Sequence, residues 1–336
     1  MPNHDAVARI LGTGFYVPPR IVTNDELATI IDTSDEWIQQ RTGIKERRYS
    51  DESDPPAVMG AKAARSAIAD AGLEVTDIDT IIVATLSPDH DFPGTACFVQ
   101  EHLGLAGTAC IDIRNQCTGL LYSMATADAY IRAGLAKHVL VIGTEVHSTG
   151  IEFTDAGRDV TVLFGDGAAA VVIGPTDDPN RGFLSHALHA DGTGARHLWI
   201  PAPGSSYFPH RAPPTMYEDR SVYPQMNGRA VFKFACTKLP EVIGEALGKA
   251  GYGLDDVDVL VPHQANKRIN EQVAKIMGFP GEKVVHNIDK YGNTTAASVG
   301  IALHEAREDG RIEDGSLVCL AAFGAGFTWA STIVRM

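Results

Sequence analysis

The chain has 336 residues, of which 44% are hydrophobic and 21% charged, and this composition predicts a folded globular protein of about two domains. Its 28 basic and 42 acidic side chains give a net charge of −14, which repels nucleic-acid backbones, so we expect no nucleic-acid partner. No apolar run approaches the length of a membrane span, and the first residues lack the pattern of a secretory leader, so we expect neither membrane insertion nor secretion.

The cysteine content indicates a reducing environment. Five cysteines are present, at positions 97, 110, 117, 236 and 319, and no CxxC or CxxH pair occurs. The odd number and the wide spacing argue against a disulfide framework and against structural zinc. We therefore expect a cytoplasmic protein without a metal site.

In chain order, the first clear pattern is a helix, an Ala-Gly turn and a β-branched strand over residues 66–83. A strand-like segment, ACIDI, then ends shortly before Cys117, and a helical pattern follows it as far as Gly134. Strands are predicted next at 138–143 and in LFGDGAAAVVIG, which begins at Leu163. This alternation of strands and helices predicts an α/β fold with mixed, mostly parallel sheets.

The second half of the chain repeats these patterns. Three pairs of segments match in the same order: 66–83 with 245–261, 117–134 with 293–310, and the strands that begin at Leu163 and Ala322. Chance rarely produces three pairs in register, so we predict a duplicated α/β unit with halves at 1–178 and 179–336. The polar, turn-rich segment PTDDPNRG separates the halves. Equivalent loops should then meet at the centre, which would bring Cys117 close to Asn293.

A long segment without periodicity, residues 201–225, is rich in proline. We interpret it as a surface loop. Such loops serve as lids or interface arms, or are simply variable.

Cys117 is the strongest candidate nucleophile because it lies between a predicted strand and the start of a predicted helix. Unpaired backbone N–H groups and the positive end of the helix dipole favour the thiolate, the reactive form, at such a position. A buried structural cysteine is the alternative interpretation. The other four cysteines lie in apolar or strand-like segments, where we expect them to be part of the core.

Two segments of the second half could complete a site. His263 follows a predicted strand in VPHQAN, at the carboxyl end where α/β sheets bind their ligands. Asn293 lies among small residues in GNTTAAS and can donate a hydrogen bond into a narrow space. Taken singly, His263 could be a structural histidine, Asn293 part of a packed helix start, and Asn266 a helix cap.

Together, the segments CTG, VPHQAN and GNTTAAS resemble the β-ketoacyl-acyl-carrier-protein synthase III family of the thiolase superfamily. Further matching motifs extend the resemblance over nearly the whole chain, at 12–14, 33–38, 41–44, 164–167 and 323–329. The set is specific because no single loop carries it. The resemblance implies the five-layered αβαβα thiolase fold, an α/β fold that agrees with the duplication.

The resemblance also implies a role for each matched residue. Cys117 would be the acylated nucleophile, and His263 and Asn293 would bind the malonyl thioester carbonyl and promote loss of CO₂. Phe323 would favour decarboxylation, and the backbone N–H groups of Cys117 and Ala325 would form the oxyanion hole. The implied reaction is a decarboxylating Claisen condensation of an acyl-CoA starter with malonyl-acyl carrier protein, giving a 3-oxoacyl thioester in fatty acid initiation or a related secondary pathway.

Other matched positions concern substrates and subunits. Trp37, Arg41 and Arg158 would hold the adenine and phosphates of coenzyme A, and Asn266 would lie near the pantetheine. Coenzyme A thioesters would thus be substrates, with no cofactor bound permanently. The resemblance also implies a homodimer in which Phe92 reaches into the acyl pocket of the partner.

Docking of acyl carrier protein, which is acidic like this chain, requires a local basic patch. The candidates are Lys233, Lys267, Arg268 and Lys275, the last three on a helix predicted at 266–277. Arg268 and Lys275 are seven residues apart and so share one helix face. An ordinary solvated helix face is the alternative interpretation.

Some residues depart from the family pattern. Arg114, Asn115 and Gln116 precede Cys117 where many members have small residues, and Arg229 stands where the better-known bacterial enzymes have asparagine. These differences leave the acyl substrate open: a starter longer than acetyl, or one of secondary metabolism, fits equally.

Three other functions remain as alternatives. An acyltransferase would move the acyl group from Cys117 to an alcohol or amine. A Cys-His-Asn hydrolase would use the same residue types, although the local signatures of papain-type proteases are absent. A non-enzymatic carrier-binding protein would have no need of the intact reactive set.

Overall fold

The computed structural model describes residues 7–178 and 180–336. Residues 1–6, which bear on the expected absence of a leader, and Pro179, at the predicted boundary between the halves, lie outside this part. The strands are β1 (Val7–Tyr16), β2 (Ile21–Thr23), β3 (Glu46–Arg48), β4 (Thr80–Ala84), β5 (Ala109–Ile113), β6 (Val139–Glu145), β7 (Gly167–Thr176), β8 (Gly182–Ala190), β9 (Leu198–Trp199), β10 (Gln225–Met226), β11 (Val259–Pro262), β12 (Leu317–Gly324) and β13 (Thr328–Arg335).

The α-helices are α1 (Asn24–Ala28), α2 (Asp35–Thr42), α3 (Pro56–Asp70), α4 (Thr95–Leu103), α5 (Gly119–Arg132), α6 (Arg158–Thr161), α7 (Gly228–Ala250), α8 (Lys267–Met277), α9 (Ile288–Tyr291) and α10 (Ser298–Glu308). Short 3₁₀ turns at Gln116–Thr118 and Thr295–Ala297 lead into α5 and α10.

Two mixed sheets share one strand order. The first runs β1-β7-β6-β4-β5, with β4 parallel to both of its neighbours and β7 antiparallel to both of its own. The second runs β8-β13-β12-β11. In it, β13 is antiparallel to both β8 and β12, as β7 is to its neighbours, and β12 is parallel to β11. A parallel bridge from Leu260 to Val284 occupies the place of the β4–β5 pairing. The predicted duplication of an α/β unit is therefore confirmed.

Helices and sheets alternate in five layers. Helices α3 and α4 cover the outer face of the first sheet, and α7, together with α8 packed on it, covers the outer face of the second. Helices α5 and α10 contact both sheets and form the middle layer. Helix α5 can lie there because its apolar residues are buried, among them Leu120, Leu121 and Met124. This arrangement confirms the expected αβαβα fold.

Between the sheets, β7 ends at Thr176 and β8 begins at Gly182. We keep 1–178 and 179–336 as the proposed halves. The segment after Ile200 contains no helix or strand until Gln225, and a hydrogen bond from the Ala202 N–H to the Ser221 carbonyl (2.9 Å) closes its base.

The expectation that four cysteines are part of the core is wrong for Cys97, which is exposed on α4. The buried side of that helix carries other residues, including Ala96, Val99 and Leu103, and leaves Cys97 on the outer face. Cys319 is buried, and Cys110 and Cys236 are half-buried. Over the described ranges, no helix is both long enough and apolar enough to span a membrane.

Candidate active site

The three reactive side chains follow sheet strands or lead into the middle layer. Cys117 lies in the 3₁₀ turn between β5 and α5, and His263 directly follows β11. Asn293 lies just before the 3₁₀ turn that leads into α10. The carboxyl ends of parallel strands meet at one edge of a sheet, which is where open α/β sheets hold their ligands.

The 3₁₀ turns that lead into α5 and α10 are equivalent. The first residue of each has a left-handed φ, +44° at Gln116 and +47° at Thr295, so Cys117 corresponds in the structure to Ala296 rather than to Asn293. A left-handed φ is unusual for a residue with a side chain, so the conformation of Gln116 is held against a local cost. Cys117 therefore lies within its turn, whereas Asn293 lies two residues before the equivalent turn, and both line the same cavity.

The Cys117 thiol is buried, with 6% of the residue exposed. Burial raises the pKa of the thiol to about 12, and the nearby Glu145 carboxylate acts in the same direction. The backbone N–H groups of Ala325 and of Cys117 itself approach the sulfur and lower the pKa in part. The backbone N–H groups thus favour the thiolate as expected, but desolvation outweighs them, and the thiol is protonated at neutral pH.

The close approach of Ala325 depends on its neighbour, Gly324. A Cβ atom on Gly324 would lie 2.7 Å from the Cβ of Cys117, well inside contact distance. Only glycine therefore lets the end of β12 lie against the nucleophile. This contact brings the two N–H groups that were assigned to an oxyanion hole to the same sulfur.

His263 is fixed through its backbone and one ring nitrogen. Its N–H donates to the Ala321 carbonyl (2.7 Å), and its Nδ1 lies 2.5 Å from the Ser298 hydroxyl. Its Nε2 is buried and has no hydrogen-bond partner among the described residues. Burial lowers the pKa of His263 to about 3, so the ring is neutral near pH 7. A neutral ring with one nitrogen aimed into a cavity can bind a substrate oxygen.

Asn293 has a fixed amide orientation. Its Oδ1 accepts the Thr295 N–H (2.8 Å), which leaves the Nδ2 donor for the cavity. Its backbone is held by β-type bonds: the Asn293 N–H donates to the Leu163 carbonyl (2.8 Å), and its carbonyl accepts from Gly165 (3.1 Å). The side chain is therefore presented as a hydrogen-bond donor with little freedom to move.

Cys117, His263 and Asn293 all line a front cavity of about 830 Å³. Three arginines, Arg41, Arg229 and Arg268, and one carboxylate, Asp159, also line it. The wall is thus net positive on a chain of net charge −14, which suits an elongated anionic substrate. Phe323 lines the cavity beside the nucleophile, with its ring 4.9 Å from that of Phe327.

A rear cavity of about 1190 Å³ lies on the other side of the nucleophile. Four residues line both cavities: Cys117, Phe164, Leu198 and Asn293. Ala325 belongs to the rear cavity, as do Arg114 and Gln116, two of the residues that depart from the family pattern. A thioester that enters from the front can therefore place its acyl group at the rear, with Cys117 at the junction.

An aromatic and guanidinium cluster borders the front cavity, which Trp37 and Arg41 line. The guanidinium carbon of Arg41 lies 4.5 Å from the Trp37 ring centroid, and that of Arg158 lies 4.9 Å from it. Arg158 also donates to the Asp32 carbonyl (2.9 Å). The Asn266 side chain accepts the Arg268 N–H, which caps α8, and donates to the Arg41 carbonyl (3.0 Å). An aromatic face with two cations suits a nucleotide.

The remaining predicted residues lie on the surface. Lys233 on α7 and Arg268 and Lys275 on α8 are exposed, and none of the three has an ion pair within the described ranges. Lys267 faces Glu271, at 3.8 Å. Phe92 is 81% exposed, far from the burial that its side chain favours.

Sequence reasoning missed three buried residues that shape the site. Glu145 accepts the Ser87 hydroxyl (2.6 Å) and the Leu86 N–H (3.1 Å), and burial raises its pKa to about 7. Asp166, in the Phe-Gly-Asp-Gly motif, accepts the His147 and Ser50 N–H groups, and so links two loops of the rear cavity. The third is Ser298, which ends the GNTTAAS motif and to which the motif assigned no role. Their roles depend on tertiary contacts, which spacing does not encode.

Comparison with known proteins gives one family. A model described as 3-oxoacyl-[acyl-carrier-protein (ACP)] synthase III matches residues 111–192, and one described as the C terminal of that synthase matches residues 247–336. A beta-ketoacyl-[acyl-carrier-protein] synthase III from Caldanaerobacter subterraneus subsp. tengcongensis is 45% identical over 98% of this chain and 97% of its own length.

Solved structures agree with these matches. A 3-oxoacyl-[acyl-carrier-protein] synthase III from Aquifex aeolicus superposes with a TM-score of 0.90 at 41% identity, over 98% of this chain and 100% of the other. The priming beta-ketosynthase of the R1128 polyketide biosynthetic pathway superposes with a TM-score of 0.89 at 34% identity, over 98% and 96%. With identity this high over nearly the full length, the chain belongs to the 3-oxoacyl-[acyl-carrier-protein] synthase III family.

Proposed function

We propose that this protein condenses an acyl-CoA starter with malonyl-acyl carrier protein, with loss of CO₂, to give a 3-oxoacyl thioester. One observation carries the proposal: a thiol and two neutral hydrogen-bond donors, from Cys117, His263 and Asn293, line the end of one net-positive cavity. The relatives named as synthases of this kind support the same reaction.

In the first half-reaction, the Cys117 sulfur attacks the thioester carbonyl of the acyl-CoA. The C–S bond to coenzyme A breaks, a new C–S bond forms on Cys117, and the thiol proton leaves with the coenzyme A sulfur. The N–H groups of Cys117 and Ala325 are placed to stabilise the negative oxygen of the tetrahedral intermediate. The cluster of Trp37, Arg41 and Arg158 supports binding of the nucleotide end, and Asn266 that of the pantetheine arm.

In the second half-reaction, malonyl thioester occupies the same cavity. Its carboxylate leaves as CO₂, and the bonding electrons form an enolate whose oxygen is bound by His263 Nε2 and Asn293 Nδ2. The apolar Phe323 beside the nucleophile favours loss of the carboxylate, because a charged group is poorly solvated there. The enolate carbon then attacks the acyl group, a C–C bond forms, and the Cys117–acyl C–S bond breaks. Cys117 leaves as a thiolate and takes up a proton from solvent, which restores the resting thiol.

Burial of both reactive groups disfavours hydrolysis of the papain type. That chemistry needs a thiolate paired with an imidazolium, which lowers the pKa of the thiol and raises that of the histidine. Here burial shifts both groups the opposite way, since the pKa of Cys117 is raised and that of His263 is lowered. The histidine is therefore suited to donate a hydrogen bond to an oxygen rather than to activate the thiol in the resting state.

We further propose that acyl carrier protein docks on Lys233, Arg268 and Lys275. Arg268 lines the front cavity, and all three side chains are exposed cations. An acidic carrier and an acidic enzyme repel at long range, so encounter is favoured only where positive charge gathers at the cavity mouth.

We also propose a homodimer, in which Phe92 enters the rear cavity of the partner. Two features support it: Phe92 is largely exposed, and β5 pairs only with β4 among the described strands, with its free edge and its Ala109 and Asp112 side chains exposed. An uncovered edge strand is a ready pairing surface for a second copy. The free thiols of all five cysteines support a cytoplasmic location.

The proposed reaction is tested with malonyl-acyl carrier protein labelled in its free carboxyl group and a panel of acyl-CoA starters. We expect acyl-CoA-dependent release of labelled CO₂ and a 3-oxoacyl-carrier product, both abolished in Cys117→Ala and retained in Cys97→Ala. The best starter identifies the acyl group for which the rear cavity is shaped. Transfer of the acyl group to an alcohol or amine without CO₂ release would instead establish the acyltransferase alternative.

A further inference from the structure

The Ser298 hydroxyl contacts the ring nitrogen of His263 that does not face the cavity, Nδ1. Its Oγ is 2.5 Å from His263 Nδ1 and 3.4 Å from the backbone nitrogen of Gln264, which donates to it. Ser298 is only 2% exposed, so its hydroxyl must find its partners within the protein, whereas His263 lines the front cavity, where an oxygen of water or substrate can pair with Nε2. Within the described part of the chain, the Ser298 side chain makes no other polar contact that the structure records.

Only one arrangement of protons satisfies both the donor and the acceptor of the Ser298 hydroxyl. If His263 Nδ1 carried the proton, Oγ would accept two hydrogen bonds and its own proton would have no acceptor in a buried site. If Ser298 donates to Nδ1, Oγ accepts from Gln264, its proton is used, and the ring proton resides on Nε2. Buried polar groups are almost always paired, which favours the second arrangement.

We propose that Ser298 is a positioning residue that fixes the Nε2–H tautomer of His263. The inference rests on the proposed function, because the Nε2 proton matters for an oxygen that binds there. With Ser298 in place, the ring presents a donor to the enolate oxygen in every enzyme molecule. Without it, part of the population presents a lone pair, which repels the developing negative charge.

The backbone of His263 is held by hydrogen bonds that do not involve Ser298, so the Ser298 hydroxyl acts on the ring alone. The His263 N–H donates to Ala321 (2.7 Å), and the His263 carbonyl accepts from the Asn270 side chain (3.1 Å). These backbone bonds hold the residue in place but do not distinguish the two ring tautomers. Ser298 is the first residue of α10, so the packed middle layer positions its hydroxyl.

The test compares Ser298→Ala with wild type in the two half-reactions. We expect the rate of Cys117 acylation by acyl-CoA to stay within about twofold of wild type. The kcat for decarboxylation of malonyl-acyl carrier protein should fall by about tenfold or more. Complete loss of one preorganised donor costs about 100-fold, which sets the largest effect expected. Ser298→Thr keeps the hydroxyl and should recover most of the rate. Ser331→Ala removes another buried serine hydroxyl, bonded to the Leu320 carbonyl, and should change neither step.

A spectroscopic readout separates the tautomer from a loss of packing. In ¹⁵N-histidine-labelled protein, the signals assigned by their absence in His263→Ala should show a pyridine-type Nδ1 and a pyrrole-type Nε2. In Ser298→Ala these two signals should move towards each other as the tautomers mix. A pyrrole-type Nδ1 in wild type, or full decarboxylation in Ser298→Ala, would overturn the inference. Absence of decarboxylation in wild type would instead contradict the proposed function itself.

Discussion

At the residue scale, the Cys117 thiol and the His263 ring lie at the end of one cavity, and burial moves both towards their neutral forms. The thiol proton must then leave during acyl transfer rather than before it. A protonated thiol also protects the nucleophile from oxidation and alkylation between turnovers, because those reactions use the thiolate.

This protonation state predicts the pH dependence of alkylation. Since the pKa of Cys117 is raised to about 12, its thiolate fraction should grow about tenfold per pH unit between pH ~6 and ~9. The rate of carbamidomethylation of Cys117 by iodoacetamide should rise in the same proportion. Peptide mapping in a Cys97→Ala background measures it, because the exposed Cys97 would also react. A plateau near neutral pH would mean that the helix start holds a preformed thiolate after all.

The two neutral donors should matter for only one half-reaction. His263→Ala and Asn293→Ala should each retain acylation of Cys117 and lose about 100-fold or more in CO₂ release from malonyl thioester, because both donors are assigned to the enolate oxygen. Intact-protein mass spectrometry reports the first step and labelled CO₂ the second. If acylation is lost as well in His263→Ala, the histidine activates the thiol and this division of roles is wrong.

At the element scale, the sequence predicted the features that repetition and motifs encode. The matched segments beginning at residues 66 and 245 predicted equivalent helix–strand units, and the two sheets have the same strand order. The helix expected at 266–277 is observed as Lys267–Met277 with Asn266 as its cap. The sequence did not predict the exposure of Cys97, the raised pKa of Cys117 or the bond from Ser298 to His263. Each depends on which segments pack together, and periodicity within one segment does not contain that information.

Helix α8 carries the charges assigned to carrier docking. The double variant Arg268→Glu/Lys275→Glu should lower kcat/KM for malonyl-acyl carrier protein about tenfold or more at low salt, and less at moderate salt, because such charges act on association. Acylation by acyl-CoA should fall less than this, and Lys275→Glu alone should leave it unchanged, because Arg268 lines the front cavity and Lys275 does not. Steady-state kinetics at two ionic strengths measures both.

The matched control is Arg65→Glu/Lys137→Glu, which changes the net charge by the same amount. Both side chains are exposed and form no ion pair among the described residues, and Arg65 lies on α3, which covers the outer face of the first sheet, away from α8. The control should leave kcat/KM nearly unchanged. Equal losses in the two double variants would mean that overall charge, rather than a docking patch on α8, governs the encounter.

At the scale of the whole molecule, the open edge of β5 and the exposed Phe92 predict a dimer with a shared acyl site. Sedimentation equilibrium should give twice the chain mass at micromolar concentration. Phe92→Ala should preserve acylation but shift the preferred acyl-CoA towards longer chains, because the side chain would narrow the rear cavity of the partner.

Leu135→Ala serves as the control for Phe92→Ala. Leu135 is 70% exposed but lies at the opposite end of the first sheet, next to the start of β6. The Leu135→Ala substitution should leave both the mass measured by sedimentation equilibrium and the acyl-CoA preference unchanged. A monomer that is fully active, with no change of preference in Phe92→Ala, would refute the shared site.

The central claim is that one thiol carries the acyl group from the starter to the condensation. The most direct measurement is a single-turnover experiment: the enzyme is acylated with a stoichiometric acyl-CoA, freed of coenzyme A, mixed with malonyl-acyl carrier protein, and followed by intact mass spectrometry. We predict one acyl adduct, mapped to Cys117, that disappears at the rate at which CO₂ and the 3-oxoacyl-carrier product form. An adduct on another residue, or one on Cys117 that persists while product forms, would contradict the account.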